Sequence, residues 1–249
     1  MKRVTDKIKP ISGFSHVFHL FLTVIMPLLV YVLIRLNLVQ LAIAIVILSK
    51  WRIFSVRPRY WLPLIRANAV DLIIGISTII FMVNTSSALF QLIWAVAYAL
   101  WLVLVKPSSS IFGISLQAFL AFLYGLVAVY LEWGGSTALV IMFMTWIVCY
   151  SVARHFFSGF EEKHASFLSN AWGLFGASLS WILSFWLIYY QAFSQVALIL
   201  IVLGFGLASL YYLDQTDRLT TLIRRQVIFM MIAVIVITLI FSDWGNKII

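Results

Sequence analysis

The amino-acid sequence predicts an all-α protein, a polytopic transmembrane helix bundle of about nine spans. The first observation is composition, because 64% of the 249 residues are hydrophobic and only 10% are charged. Soluble domains are roughly 45–50% apolar and about 25% charged. The second is a succession of apolar runs of the length that a helix needs to cross a bilayer. The third is that basic residues collect in alternate gaps between these runs. Together they exclude a soluble enzyme, a disordered chain and a disulfide-stabilised scaffold.

We predict that residues 1–249 form a single transmembrane domain. The predicted spans are 14–34, 36–54, 68–83, 87–105, 110–131, 137–153, 168–190, 196–213 and 225–241. The second span is the weakest prediction, because its uninterrupted apolar core covers only 38–48. Lys50 and Arg52 can still belong to it, since their long side chains can extend the ammonium and guanidinium groups to the membrane surface. Pro27 lies in the middle of the first span and predicts a kink there.

The distribution of basic residues predicts the orientation. With nine crossings and a cytoplasmic N-terminus, all of the 17 Lys and Arg residues lie inside except Arg35 and Lys247, and the C-terminus lies outside. This matches the positive-inside rule better than the alternative in which the second segment fails to cross. The net charge of +9 is therefore attributed to contact with anionic lipid headgroups, and no nucleic-acid partner is expected. We expect a multi-pass protein of the cell membrane.

Two inside connections are longer than the others, loop A (49–67) and loop B (154–167). Loop A interleaves basic and aromatic residues, and we expect Pro58 and Pro63 to break any long helix in it. Such a segment is expected to lie in the headgroup layer. Its arginines, Arg57, Arg59 and Arg66, could recognise an anionic lipid or a phosphate-bearing substrate, although a simple topology anchor is the interpretation that the sequence favours.

The acidic residues are informative mainly because none is expected near the midplane of a predicted span. No Asp, Glu, Lys or Arg is expected near the midplane of a predicted span, which argues against ion-coupled pumps, voltage sensors and retinal proteins. Asp71 is the deepest acid, about one turn into the third span. The spacing of Asn68 and Asp71 predicts an N-terminal helix cap, and the functional alternative is a substrate or metal contact at the cytoplasmic mouth.

Buried amides and small residues predict contacts between helices. Gln91 and Gln117 should face the bundle, where they either line a cavity or bond neighbouring helices, and helix–helix bonding is favoured. The pairs Gly173/Ala177 and Gly204/Ala208 predict close packing between spans seven and eight. The candidate substrate-binding residues are therefore Arg57, Arg59, Arg66, Asn68, Asp71, Gln91 and Gln117.

Metal-binding patterns are sparse. His155 together with the Glu161-x-x-His164 spacing is the candidate metal set, although carboxylate-bridged metal sites use two such copies and a solvated connector is favoured. His16 and His19 share a helix face and could ligate a haem or a metal. The sequence contains no phosphate-cradling glycine loop, zinc-type cysteine pairs or serine nucleophile elbow, so we expect no cofactor.

Three functions fit these features. The first choice is translocation of a small neutral or amphiphilic, lipid-like solute, which suits a polar but uncharged interior. The second is a membrane enzyme acting on a lipid-linked or prenyl substrate at the cytoplasmic face. The third is a non-catalytic subunit of a membrane complex, with a homo-oligomer or a membrane-protein partner. Membrane lipids, including anionic headgroups, are the partners expected in every case.

The enzyme hypothesis has a parallel in a known family. Nine helices, an inside N-terminus and long inside loops after helices two and six resemble the layout of UbiA prenyltransferases. The resemblance implies magnesium-binding aspartate motifs in both loops. In this chain loop A and the start of span three offer only Asn68 and Asp71, and loop B offers only Glu161 and Glu162. The sequence therefore departs from the family at the residues that hold the metal.

Overall fold

The structure is a computed structural model that describes residues 14–50, 53, 55–184 and 194–242, with side chains from Thr23 onward. Within these ranges the chain is helical and forms no strand. The helices are α1 (Phe14–Arg35), α2 (Val39–Leu48), α3 (Trp61–Val83), α4 (Ala88–Leu100), α5 (Ile111–Trp133), α6 (Ala138–Gly159), α7 (Ala165–Ser184), α8 (Gln195–Gln215) and α9 (Thr221–Ile240). A 3₁₀ turn, Pro58–Tyr60, precedes α3, and a π-helical turn, Trp101–Val105, continues α4.

Six of the described helices are long and apolar enough to cross a bilayer, namely α3, α4 with its π turn, α5, α6, α8 and α9. The protein is therefore an integral membrane protein built from a helix bundle. The α2 helix has 10 residues, about half the length of a membrane span. The end of the predicted seventh span lies in 185–193, outside the described residues. The number of nine crossings and the sides of the two termini stay predictions.

The start of α3 differs from the prediction. The helix begins at Trp61 and has Tyr60 at its N-cap, without a side-chain cap, so the predicted cap at Asn68 and Asp71 is wrong. Pro63 does not break this helix, because it lies in the first turn, where a missing backbone N–H costs no helical hydrogen bond. Loop A is therefore partly helical, since its last seven residues belong to α3.

Loop B is also shorter than predicted. The α6 helix continues to Gly159 and α7 begins at Ala165, so only 160–164 connects them. Glu161 adopts a positive φ of 53° in this connection. Asp217, which follows α8, has the same φ of 53°. The backbone N–H of Arg218 donates to the carbonyl of Leu213. The next helix, α9, is capped by the Thr220 hydroxyl.

Two apolar cores hold the bundle together. The larger involves α3 to α6 and α8, and it is centred on fully buried side chains such as Ala121, Leu126, Cys149 and Leu200. The smaller joins α1, α2, α3 and α4 around Val30, Ala42 and Met82. The α9 helix contributes no buried residue. One face packs against the bundle through partly buried residues such as Ile235 and Leu239, and the remaining apolar side chains are exposed, as expected for a helix in contact with lipid.

The small residues pack on partners other than those predicted. A Cβ on Gly173 would meet Trp146 of α6, and one on Gly176 would meet Cys149 of the same helix. Gly204 of α8 faces the ring of Phe122 in α5. The two predicted glycines therefore do not pack against each other's helix, because Gly173 accommodates Trp146 of α6 and Gly204 accommodates Phe122 of α5.

Basic residues divide the two ends of the bundle unequally. We call the connections after α2, α4, α6 and α8 the basic end, and those after α1, α3, α5 and α7 the far end. Within the described ranges, Arg35 is the only Lys or Arg that belongs to the far end. The basic end holds Lys50, Arg57, Arg59, Arg66, Lys106, Arg154, Lys163, Arg218, Arg224 and Arg225.

Candidate functional site

A buried carboxylate at the basic end is bound by two ammonium groups. Asp71 Oδ2 accepts hydrogen bonds from Lys50 Nζ at 2.7 Å and from Lys106 Nζ at 2.6 Å. Its other oxygen, Oδ1, accepts from the indole Nε1 of Trp101 at 3.0 Å. These four side chains form the site that we call the Asp71 centre. The Asp71 side chain is 10% exposed and that of Lys50 12%, whereas Lys106 is 39% exposed.

The ends of two short neighbours position the Asp71 centre along α3. Asp71 lies near the middle of this 23-residue helix, because α3 begins at Trp61, ahead of the predicted span. The expectation that no ionisable residue lies near the bilayer midplane stays a prediction. Lys50 comes two residues after the end of α2, and Lys106 directly follows the π turn that continues α4. The carboxylate therefore lies at the level where these two helices stop and α3 continues, which is where lysines can reach it.

The π turn brings two of the four side chains to the site. In Trp101–Val105 the backbone N–H of Lys106 donates to the carbonyl of Trp101 at 2.9 Å, a bond that spans five residues. This widened turn presents both the Trp101 indole and the Lys106 ammonium to the carboxylate. Such single-turn π segments are frequent at functional sites.

Close helix packing supports the centre from the bilayer side. Gly75 lies one turn beyond Asp71, and a Cβ there would lie 2.7 Å from Val46 Cγ1 and 2.9 Å from the Tyr98 hydroxyl. Since both contacts are closer than a real Cβ tolerates, only glycine lets α2, α3 and α4 approach at this level. Tyr98 of α4 and Trp101 of the π turn are buried, and the Trp101 indole donates to the carboxylate.

The charges of the centre do not cancel. Two lysines face one carboxylate, and no other described carboxylate oxygen lies within 4.0 Å of either ammonium. Buried charges are normally compensated, because removing an ion from water costs several kcal/mol. The centre therefore has an excess of one positive charge, and it presents that charge through the partly exposed Lys106. This arrangement suits an anion.

A second polar group closes the same end. Gln117 Nε2 donates to the carbonyls of Val105, Lys106 and Ser108 at 2.8, 3.2 and 2.9 Å. Its Oε1 lies 3.0 Å from His155 Nε2. Gln117 thus ties the start of α5 to the end of α4 and to α6, and His155 is close enough to Asp71 for an electrostatic interaction.

The other predicted substrate-binding residues do not join the centre. Arg59 donates to the hydroxyl of its neighbour Tyr60 at 2.5 Å. The Arg66 guanidinium lies 6.0 Å from the centroid of the Tyr150 ring, and Asn68 Nδ2 donates to the Leu64 carbonyl at 2.9 Å. Arg57 is exposed ahead of the 3₁₀ turn. These residues lie at the basic end, without contact with the carboxylate among the hydrogen bonds and ion pairs described.

Gln91 lies at the far end. Its Nε2 donates to the carbonyls of Met82 at 3.0 Å and Thr85 at 2.8 Å, where α3 ends. The structure therefore places it apart from Asp71 and Gln117. Both amides form the bonds between helices that the sequence analysis favoured.

The predicted metal residues are also separated. His155 pairs with Gln117, whereas Glu161 and His164 lie in the connection between α6 and α7. In the described part of the chain, no three His, Cys, Asp or Glu side chains are arranged to hold a metal ion. The side chains of His16 and His19 lie outside the described residues. The metal site stays a prediction.

Glu162, which was not a candidate, makes the clearest carboxylate contact of this connection. Its Oε2 accepts from the Tyr211 hydroxyl at 2.6 Å, and its Oε1 accepts from the His164 backbone N–H at 3.3 Å. The Tyr211 hydrogen bond is the largest cause that lowers the pKa of Glu162 from its ordinary value. Rings of Phe157 and Phe160 pack edge-on against Tyr211. This contact fastens the connection to the end of α8.

Sequence reasoning missed Lys50, Lys106 and Trp101 as members of the site. The two lysines were interpreted as flanks of apolar runs, and the tryptophan as part of one. A usable signal existed, because an acid inside an apolar helix requires a cationic partner. The predicted topology already placed Lys50 and Lys106 at the same end as Asp71.

Comparisons with known proteins add no relative. No protein-family model matches the chain, and searches of curated proteins and of solved structures found no match either.

Proposed function

We propose that this membrane protein translocates a small amphiphilic or lipid-like solute, and that the Asp71 centre is where the polar part of the solute enters. The observation that supports this proposal is that Lys106 is partly exposed in an otherwise buried ionic centre with an excess positive charge. A charged centre of this kind is costly in a membrane bundle and is by default a functional feature.

The side chains beyond the centre support passage of a polar group. Along α3 towards the far end, the buried hydroxyls of Ser77 and Thr78 follow Asp71, and the buried amide of Gln91 lies at the end. These groups are polar without being ionised. Thr78 donates to the Ile74 carbonyl and Gln91 to those of Met82 and Thr85, so these two groups offer a headgroup their acceptor oxygens. No buried carboxylate that could couple transport to protons follows Asp71 in the described part of α3.

A flux assay tests this proposal. The purified protein is reconstituted in phosphatidylcholine vesicles that contain a trace of lipid labelled with a dithionite-sensitive fluorophore. We expect dithionite to bleach the label of both leaflets, whereas protein-free vesicles lose only the outer-leaflet signal. Lys106→Gln should slow this flux, and Arg224→Gln, which removes an exposed charge at the same end, should not. Bleaching confined to the outer leaflet in all samples would overturn the proposal.

A membrane enzyme acting on a lipid-linked substrate is the second candidate. It is favoured by the convergence of the Asp71 carboxylate, two lysine ammoniums and the His155–Gln117 pair at one end. A carboxylate and an imidazole are groups that can move protons. Conversion of co-purified lipids into new species, measured by mass spectrometry and lost in His155→Gln, would favour the enzyme over the translocator.

The proposed setting is the cell membrane, with lipids as the first partners. The basic end would face the cytoplasm, where anionic headgroups attract its arginines and lysines. The α9 helix, which buries no residue, leaves room for lipid or for a membrane-protein partner, including a second copy of the chain.

A further inference from the structure

We propose that the Asp71 centre binds the terminal phosphate monoester of an amphiphile, as in phosphatidic acid, with Lys106 as the main ligand and Lys50 as the second. This inference rests on the proposed translocation and names the headgroup class of its solute. In this account the Asp71 carboxylate binds both lysines when no headgroup is bound, so an incoming phosphate competes with it for their N–H groups.

The hydrogen-bonding capacity of the lysines carries the first step. Both ammoniums donate to the same oxygen, Asp71 Oδ2, while the Trp101 indole occupies Oδ1. An ammonium has three donors, so each lysine keeps N–H groups that the carboxylate does not use. Lys106 has the greater exposure and can offer its donors to a group arriving from outside.

The nature of the anion follows from the shape of its partners. Ammonium groups bind phosphate as point charges and place few demands on its orientation. A phosphate has enough oxygens to bridge Lys106 and Lys50, whose ammoniums already meet at one atom. Phosphate binding would also compensate the excess positive charge that a single carboxylate leaves.

The surroundings of the site indicate that the phosphate belongs to a lipid. Leu48 and Leu104, each two residues before a lysine of the centre, are 59% and 65% exposed. Leu62, in the first turn of α3, is 66% exposed. These exposed apolar side chains belong to the helices whose ends carry the centre, so they offer contact area to an acyl chain, which a free phosphate lacks.

Lipid retention provides the test. The full chain is placed in phosphatidylcholine nanodiscs that contain a minor fraction of phosphatidic acid, and bound lipids are counted by native mass spectrometry. We expect retained phosphatidic acid to exceed its share of the bilayer. Lys106→Gln should reduce this preference roughly tenfold, since a charge-assisted hydrogen bond is lost. Arg224→Gln should keep the preference, because its side chain lies outside the centre.

Asp71→Asn separates binding from folding. If the carboxylate competes with the phosphate, this variant should retain at least as much phosphatidic acid as the parent protein. Its lowered melting temperature should recover on addition of that lipid. Loss of the preference in folded Asp71→Asn, or an equal preference in Lys106→Gln and the parent, would overturn the proposal.

Two further experiments distinguish a lipid phosphate from free phosphate, and the headgroup proposal from the translocation proposal. If inorganic phosphate, compared with chloride at matched ionic strength, stabilises Asp71→Asn as much as phosphatidic acid does, the assignment to a lipid is overturned. Equal flux of labelled lipids with a phosphate-monoester headgroup and with a phosphocholine headgroup would overturn this inference alone. Retention of phosphatidic acid without flux would uphold the headgroup site and overturn translocation.

Discussion

The two ends of the bundle each have a buried amide that bonds the carbonyls at a helix end, but they differ in charge. At the basic end Gln117 donates to three carbonyls where α4 ends, and at the far end Gln91 donates to two where α3 ends. Among the described residues, the basic end alone adds a buried carboxylate and two lysines. A buried amide is therefore sufficient to close a helix end, and the charges at the other end call for a separate explanation.

The cost of the charges sharpens this comparison. Replacing a buried ionic cluster with apolar side chains is often neutral or stabilising, whereas removing one partner is strongly destabilising. The Asp71 centre is thus an energetically costly way to hold helices together, whereas the amides of Gln91 and Gln117 join helices without any charge. We infer that the lysines are retained for what they bind.

The largest expected effect is that of removing the carboxylate. Asp71→Leu leaves Lys50 and Lys106 without their counter-ion and should destabilise the fold by about 3–5 kcal/mol. The measurement is unfolding of the purified protein in mild detergent, followed by circular dichroism.

The control replaces the whole ionic centre. The triple variant Lys50→Met, Asp71→Leu, Lys106→Met should regain most of the lost stability, because no charge stays unpaired. If Asp71→Leu alone unfolds like the parent protein, the carboxylate is not paired in the way that the structure describes.

The amide of the basic end comes next. Gln117→Leu removes the donor to the Val105, Lys106 and Ser108 carbonyls and the partner of His155. We expect a loss of about 1–3 kcal/mol from these unpaired groups. The same unfolding measurement applies, and an unchanged midpoint would mean that water or other groups replace the amide.

The amide of the far end should matter less. Gln91→Leu removes bonds to only two carbonyls, and Gln91 Oε1 has no hydrogen-bond partner, so removing that oxygen relieves an unsatisfied group. We expect a loss of about 1 kcal/mol. The double variant with Gln117→Leu should show additive losses, because distant sites are independent. Strong non-additivity would contradict the separation of the two ends.

The smallest effect concerns Glu162, which holds the connection after α6. Its hydrogen bond from Tyr211 lowers the pKa of the carboxyl below its ordinary 4.5 in the folded protein. The resulting stabilisation is present above that value and is lost as the pH falls through the lowered pKa. Tyr211→Phe should therefore unfold slightly earlier than the parent at neutral pH. The two unfolding curves should converge in acid, and a difference that persists there would contradict this account.

The sequence predicted the membrane bundle and its uneven ends because composition and basic residues report directly on lipid and topology. It failed at the start of α3, where Pro63 was interpreted as a helix breaker although a first-turn proline is harmless. Because of that error the predicted helix begins at Asn68 instead of Trp61, and Asp71 is assigned to an N-terminal cap. Helix starts inside a basic, aromatic segment have no apolar periodicity to mark them.

The site itself depended on contacts that the sequence does not show. Asp71 was identified as the deepest acid, and Gln117 as a buried amide that bonds helices. The convergence of Lys50 and Lys106 on one oxygen requires the lengths of α2 and α4, and the role of Trp101 requires the π turn. Neither feature follows from hydropathy.

The coupling between Asp71 and Lys106 tests the central claim most directly. A double-mutant cycle of Asp71→Asn, Lys106→Gln and the combined variant, measured by unfolding in one detergent, isolates the interaction of the two side chains. With their atoms 2.6 Å apart, the account predicts a coupling free energy of about 1–3 kcal/mol. Losses that add within about 0.3 kcal/mol would show that the two residues act independently, and would contradict the ionic centre.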